Sequence, residues 1–87
     1  MDSAQIRRIV WLDSSSHSGW HDPTKQEYVP LTAVTVGHCI TETDDSITIS
    51  ASVIFGDEYQ VADSMTIPKV AILSDEELTT NPERETP

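Results

Sequence analysis

The stretch that decides the fold is residues 33–55, AVTVGHCITETDDSITISASVIF. Apolar and polar residues alternate on both sides of the polar tetrapeptide TDDS at 43–46, as they do in strands that turn one face toward a core. Two alternating runs around a short polar turn predict a β-hairpin. We therefore build the fold outward from strands at 33–43 and 47–55.

Further strands are predicted on both sides of this hairpin. Residues 5–13, QIRRIVWLD, are rich in β-branched and aromatic residues and predict a first strand. Residues 59–67 predict a less regular strand that bulges or bends at Asp63-Ser64, and residues 70–73 form a last short apolar segment. This pattern predicts an all-β domain of about five strands, either a small SH3-like or Sm-like barrel or a strongly bent antiparallel sheet.

The C-terminal stretch has a different composition. Residues 74–87, SDEELTTNPERETP, contain one apolar residue, Leu78, and predict an acidic, mostly mobile tail. Ser74 and Glu77 have the spacing of a capping box, so one turn of helix at the start of the tail is the alternative. We expect a single domain at 1–73, followed by the tail.

The chain is short for a stable domain. With 87 residues it buries only about 60% of the surface that its unfolded form exposes. The single cysteine, Cys39, excludes an intrachain disulfide, and three scattered histidines do not form a structural zinc pattern, so we expect no metal and no cofactor. Self-association is the remaining source of stability. We expect a homo-oligomer, for which a tetramer is one arrangement.

Net charge limits the classes of partner. Fifteen Asp and Glu against five Lys and Arg give −10, which disfavours sequence-independent binding to duplex DNA. No apolar run reaches the roughly 18 residues of a membrane span and no signal-peptide pattern occurs, so we expect a cytoplasmic protein without a membrane partner. The charge has two interpretations. It either keeps the protein soluble, or it belongs to an acidic interaction protein, such as a DNA mimic, that binds and inhibits a host protein.

Catalytic patterns are weak. Residues 13–17, DSSSH, are adjacent in the chain, whereas a serine–histidine–carboxylate array depends on three-dimensional geometry. His17, His21 and Asp22 share one loop but have no fourth ligand at a familiar spacing. Three glycines are too few for a Walker-type or dinucleotide-binding motif. We therefore expect no catalytic residues, no metal ligands and no enzymatic activity.

Residues 11–21, WLDSSSHSGWH, are better suited to binding a ligand. Indoles stack on nucleobases, an effect worth ~1–3 kcal/mol per base. Hydroxyls and turn amides bind phosphate or ribose, and nearby cations offset ligand charge. Asp22 and Pro23 also predict a helical turn at 23–27 within the loop at 14–30. The ligand-binding residues that we predict are Arg7, Arg8, Trp11, Asp13, Ser14, Ser15, Ser16, Trp20 and Lys25.

Packing alone is the alternative for this segment. In that interpretation Trp11 belongs to the core, Trp20 pins the loop, and the serines satisfy a turn. His38 shares a strand face with Val34 and Val36 and is predicted to be a satisfied core or interface histidine, while Cys39 is predicted to be a small buried hydrophobe.

Four motifs occur in a fixed order: W-x-D-S at 11–14, Gly-Trp at 19–20, the hairpin at 34–50, and TIPKVAI at 66–72. In this order, over about residues 6–73, the chain resembles a widespread group of very small phage proteins. Phage proteins of this size and type include counter-defence factors, among them oligomeric sponges that sequester cyclic oligonucleotide signals of anti-phage systems such as CBASS. The resemblance implies an immune-evasion protein of the infected host's cytoplasm that binds a cyclic oligonucleotide, for example a cyclic dinucleotide, without cleaving it.

Overall fold

A computed structural model describes residues 5–79, and the described residues form one antiparallel sheet of five strands. The strands are β1 (Ile6–Asp13), β2 (Leu31–Glu42), β3 (Ser46–Ile54), β4 (Gln60–Pro68) and β5 (Ile72–Leu78). Their order across the sheet is β4-β3-β2-β1-β5, so the last strand returns to the side of the first. The predicted all-β class is confirmed. The sheet is open, with β4 and β5 as its two edges.

The β2–β3 hairpin forms where the alternation predicts it. Glu42 pairs with Ile47 at its closed end. Between them, the Thr43 N–H donates to the Ser46 carbonyl at 2.8 Å, and the Thr43 hydroxyl accepts from the Ser46 N–H at 3.1 Å. These bonds satisfy the backbone of the turn and hold the hairpin in register.

The core consists of four isoleucines that are almost fully buried: Ile9, Ile47, Ile49 and Ile67. Ile9 lies on β1, and the other three lie on β3 and β4. Because β2 separates β1 from β3, these side chains form one cluster only if the sheet curls and its concave face closes on itself. We call this concave side the core face.

Two register shifts accompany the bend. One lies between Cys39 and Thr41 in the β2–β3 pair, and the other lies between Val10 and Trp11 in the β1–β5 pair. Such irregularities increase the local twist and bend of a strand. Trp11 and Cys39 pack against the isoleucine cluster, as does Ile72. Cys39 is therefore a partly buried packing residue, as predicted.

The face of β2 that carries the valines does not lie toward the core. Val34 and Val36 remain more than half exposed, whereas Gly37 between β1 and β3 is buried. The small residues of β2 face the core because the curl brings β3 too close for larger ones. His38, two residues beyond Val36, has a buried Nδ1 that finds no hydrogen-bond partner within residues 5–79. The prediction of a histidine satisfied within the core is therefore wrong for this nitrogen, and the interface alternative stays a prediction.

The domain boundary predicted at 73 is wrong. β5 continues to Leu78, which pairs with Ile6, and Asp75 pairs with Ile9. Five residues of the predicted tail therefore form an edge strand, and the helical turn predicted as an alternative there is wrong as well. The hydrophobic pattern of the sequence does not predict this strand, because an exposed edge strand needs few apolar side chains. Residues 80–87 of the predicted tail lie outside the described residues.

Candidate functional site

The loop at 14–30 joins β1 to β2 and holds most of the predicted ligand-binding residues. A 3-10 turn at Pro23–Lys25 lies inside it, within the predicted helical turn. The Asp22 carboxylate accepts from the Thr24 N–H at 3.0 Å and from the Thr24 hydroxyl at 2.7 Å. These hydrogen bonds cap the turn and lower the pKa of Asp22. The loop is thus locally ordered by its own side chains.

Contacts between the two sides of the loop hold it together. The Ser15 hydroxyl donates to the Val29 carbonyl at 2.8 Å. His21 Nε2 lies 2.6 Å from the Tyr28 hydroxyl, and the His17 ring meets the Tyr28 ring edge-on, with centroids 5.2 Å apart. A loop that is held before a ligand arrives has less conformational entropy to lose on binding.

Trp20 lies near the middle of this loop and is fully exposed, at 105% of its reference surface. Gly19 before it has φ of +81°, in the left-handed region that favours glycine. The indole therefore does not pin the loop against the core, which was the alternative interpretation of the sequence. Large aromatic side chains carry 150–250 Å² of surface that is favourable to bury. Within residues 5–79 no side chain covers Trp20, so a ligand or another molecule that covers it would gain that burial.

Asp13 is the last residue of β1, and the serines begin the loop that follows it. The Asp13 carboxylate accepts from the Ser14 N–H at 2.7 Å. Ser14, Ser15 and Ser16 are all exposed. Lys25 is exposed too, and it takes part in none of the salt bridges found within the described part of the chain. The predicted hydroxyl, cation and indole groups thus lie on one loop, directly after the Asp13 carboxylate.

Trp11 has a different environment. It is half-buried against the isoleucine cluster, and its Nε1 donates to the Thr35 hydroxyl at 2.9 Å. Thr35 is paired with Ile9 on the neighbouring strand. The indole of Trp11 is already used for packing and hydrogen bonding, so the structure places it with the core and not with the loop.

The two arginines lie toward the other end of β1. Counting from Asp13 at about 3.3 Å per residue, Arg7 lies roughly 20 Å from the start of the loop. Arg7 lies on the core face, whereas Arg8 points to the opposite side and lies 3.9 Å from Glu76. Within one copy of the chain, neither arginine joins the loop residues.

Arg7 instead belongs to a charged cluster that the sequence analysis missed. Its Nε donates to Asp75 Oδ1 at 2.7 Å, and its second terminal nitrogen contacts the other carboxylate oxygen of Asp75. Its remaining nitrogen lies 3.3 Å from Glu42, which also pairs with Lys69 at 2.8 Å. A cavity of about 250 Å³ adjoins the cluster and is lined by Glu42, Lys69, Ile72 and Asp75.

The cluster is balanced in charge. Hydrogen bonds to Asp75 raise the pKa of Arg7, and the same bonds lower the pKa of Asp75. The hydrogen bond from Lys69 lowers the pKa of Glu42. Two cations and two carboxylates therefore stabilise one another and join β1, β2, β5 and the short 3-10 turn Lys69–Ala71. This arrangement fits a structural role, in which the four side chains hold these elements together. We call Arg7, Glu42, Lys69 and Asp75 the charged bracket.

One sequence signal could have revealed this bracket. Arg7 stands two residues before Ile9, so both side chains lie on the same face of β1. A cation on the face that carries the core needs a carboxylate partner nearby. The identity of that partner depends on β5, which the sequence analysis did not predict.

Two further properties concern residues 5–79 alone. No three His, Cys, Asp or Glu side chains in this range are grouped so that they could hold a metal ion. Helices long and apolar enough to cross a membrane are also lacking there.

Comparison of the chain with protein-family models, with curated proteins and with solved structures finds no match. The geometry of the loop and the order of the motifs in the sequence are therefore the features that bear on function.

Proposed function

We propose that this chain is a non-catalytic nucleotide-binding protein that sequesters a cyclic oligonucleotide without cleaving it. The observation that carries the proposal is the fully exposed Trp20 on a loop that is held by Ser15, His21 and Tyr28. An indole presented in this way offers a stacking surface for a nucleobase. In the phage setting that the motif order suggests, such a protein would act in counter-defence against a CBASS-type signal.

The polar groups of the loop suit the rest of such a ligand. The hydroxyls and amides of residues 14–16 can donate to phosphate oxygens, and the Asp13 carboxylate can accept from a ribose hydroxyl or a guanine edge. Lys25 supplies the one cation among loop residues 14–30. A cyclic dinucleotide carries two phosphates, so in a site formed by two copies of the chain each phosphate would pair with one Lys25.

The overall negative charge does not oppose this proposal. Charges separated by more than about 8 Å are largely screened at physiological salt, so a ligand at the loop is affected mainly by the charges of the loop itself. Sequestration requires affinity and copy number and needs no turnover. The loop is held by its own contacts and carries aromatic and polar groups that suit a nucleotide. Its place on a small sheet that self-associates meets these requirements.

A ligand screen tests the proposal. Thermal melts should be recorded with cyclic di- and trinucleotides, followed by calorimetric titration of each compound that raises the melting temperature. A ligand at 100 times its dissociation constant stabilises the folded state by ~2.7 kcal/mol, which is a shift of several degrees for a domain of this size. Mass spectrometry of the released ligand should recover it intact. A panel without any shift, or a cleaved ligand, would overturn the proposal.

The second candidate is an acidic interaction protein that binds and inhibits a host protein. Exposed acids in two turns favour it: Asp44 and Asp45 precede β3, and Asp57 and Glu58 follow it. Ionic strength separates the candidates. A complex driven by these carboxylates should weaken strongly as salt rises. A stacked nucleotide should lose much less affinity over the same range.

A further inference from the structure

We propose that two copies of this chain associate through the end of the β3–β4 hairpin, with the free edge of one β4 antiparallel to that of its partner. We call residues 51–65 the β3–β4 arm. The inference deepens the self-association included in the proposed function and rests on it. Its test uses no nucleotide, so its failure is distinguishable from a failure of ligand binding.

The arm has no neighbouring strand on the side of β2. β2 pairs with β1 from Leu31 to His38, and from His38 onward it pairs with β3, no further along β3 than Ser50. Beyond Ser50, β3 pairs with β4 alone, from Ser52 opposite Ala62 to Ile54 opposite Gln60. Both faces and both edges of this hairpin, that of β3 and that of β4, are therefore open in the described residues.

The open surface of the arm is apolar. Phe55 and Tyr59 stack on each other at its tip, with ring centroids 5.6 Å apart. Between 39% and 61% of the surface stays exposed at each of Ile54, Phe55, Tyr59, Val61 and Met65. Summed over both faces of the arm they expose roughly 400 Å², within the range of the largest apolar patches of monomers, which are often functional. One side of a standard protein–protein interface buries about 800 Å², a little over half of it apolar, so the arm matches that requirement.

The charge distribution favours a second copy as the occupant. In the strands of the arm, residues 51–54 and 60–65, the only charged side chain is Asp63, whereas the turn at its tip carries Asp57 and Glu58. Two copies of an acidic protein can approach each other only where acids are scarce. A basic partner would instead gain most from the acidic turns outside the strands of the arm.

The two edges of the sheet also differ in the number of acidic side chains. β5 carries three consecutive acids, Asp75, Glu76 and Glu77, and such charges protect an edge against pairing with a copy of itself. β4 carries only Asp63, whose φ of +58° interrupts the regular strand at that point. Antiparallel pairing of two β4 edges about a two-fold axis would satisfy their free backbone groups on either side of Asp63.

A matched pair of lysine substitutions tests the interface. Val61→Lys places a charge on the arm, and Val70→Lys places the same charge on a valine that is 99% exposed in the 3-10 turn outside it. Light scattering at tens of micromolar should give the wild type and Val70→Lys the same mass, at twice the monomer mass or a multiple of it. Val61→Lys should raise the dissociation constant of the arm contact at least tenfold and lower that mass.

Further variants keep the test decisive. Ile54→Lys, one strand away on the other face of the arm, should weaken association in the same way. Circular dichroism must show that each variant remains folded, and only folded variants are compared. A monomeric wild type would overturn the proposal. So would folded Val61→Lys and Ile54→Lys variants that keep the wild-type mass, or a Val34→Lys variant that dissociates while both arm variants stay associated.

Discussion

Gly37 on β2 lies so close to β3 that a methyl group at this position would meet Ile49 Cγ2 at 2.6 Å and the Ser50 carbonyl oxygen at 2.6 Å. Both distances are shorter than real carbon contacts allow. This close approach occurs where β2 passes from its pairing with β1 to its pairing with β3, which is the curl that gathers the isoleucine core. A glycine here permits the bent sheet.

The first prediction follows from that contact. Gly37→Ala should destabilise the fold by about 1–3 kcal/mol, the usual cost of forcing extra volume into a packed site. For a domain of this size that lowers the melting temperature by several degrees or more. Gly56→Ala is the control, since a methyl group there meets nothing within 4 Å. Equal melting temperatures for the two variants would mean that the strands do not approach as described.

The second prediction concerns the charged bracket. Arg7→Met should destabilise the fold by about 1–3 kcal/mol, because Asp75 and Glu42 lose hydrogen bonds from a largely buried guanidinium. Arg8→Met removes a cation of the same strand from a long, exposed pair with Glu76 and should change stability by less than about 1 kcal/mol. Urea unfolding of both variants measures the difference. A larger loss in Arg8→Met would contradict the assignment of faces on β1.

The third prediction is the pH dependence of the same cluster. Hydrogen bonds from Arg7 and Lys69 lower the folded-state pKa of Asp75 and Glu42 below the unfolded value of about 4. Carboxyls of this kind stabilise the fold above the unfolded pKa, and the contribution is lost as pH falls through the folded pKa. Stability should therefore decline on acidification below about pH 4, and the decline should be smaller in Arg7→Met. An identical acid profile in both proteins would exclude the Arg7 pairing as its source.

The fold was predictable where a local pattern determines the structure. Alternation around the turn at Thr43 and Ser46 predicts the central hairpin, and Asp22 before Pro23 predicts the capped turn in the loop. β5 was not predictable in this way, because the strand is held by pairing with β1 and by the ion pair of Asp75 with Arg7. Both interactions depend on residues far apart in the chain.

The candidate site was predictable only in part. The composition of the loop identifies Asp13, the serines, Trp20 and Lys25, and the structure keeps them on one segment. Trp11 was predicted from its position beside the loop and Arg7 from its charge, and the alternation of β1 turns both toward the core face. Alternation was visible in the sequence, but the depth of the core on that face depends on the curl at Gly37, which no local pattern reports.

The fourth prediction tests the corrected boundary. A chain that ends after Leu73 loses most of β5 and its pairing with β1, so it should fail to fold or should precipitate. A chain that ends after Thr79 keeps every described strand and removes a segment without apolar residues, so it should melt close to the wild type. Circular dichroism melts compare the two. A folded chain ending at Leu73 would contradict the role given to β5.

The most direct test of the central claim is the affinity of Trp20→Ala for a cyclic oligonucleotide that binds the wild type, measured by calorimetric titration. If Trp20 stacks a base, the substitution should cost ~1–3 kcal/mol, a loss of about 5- to 150-fold in affinity, with little change in the melting temperature. Trp11→Ala should behave oppositely and destabilise the fold by ~3–5 kcal/mol, as a packed aromatic does. Wild-type affinity in a folded Trp20→Ala protein would contradict the claim that this loop is the binding site.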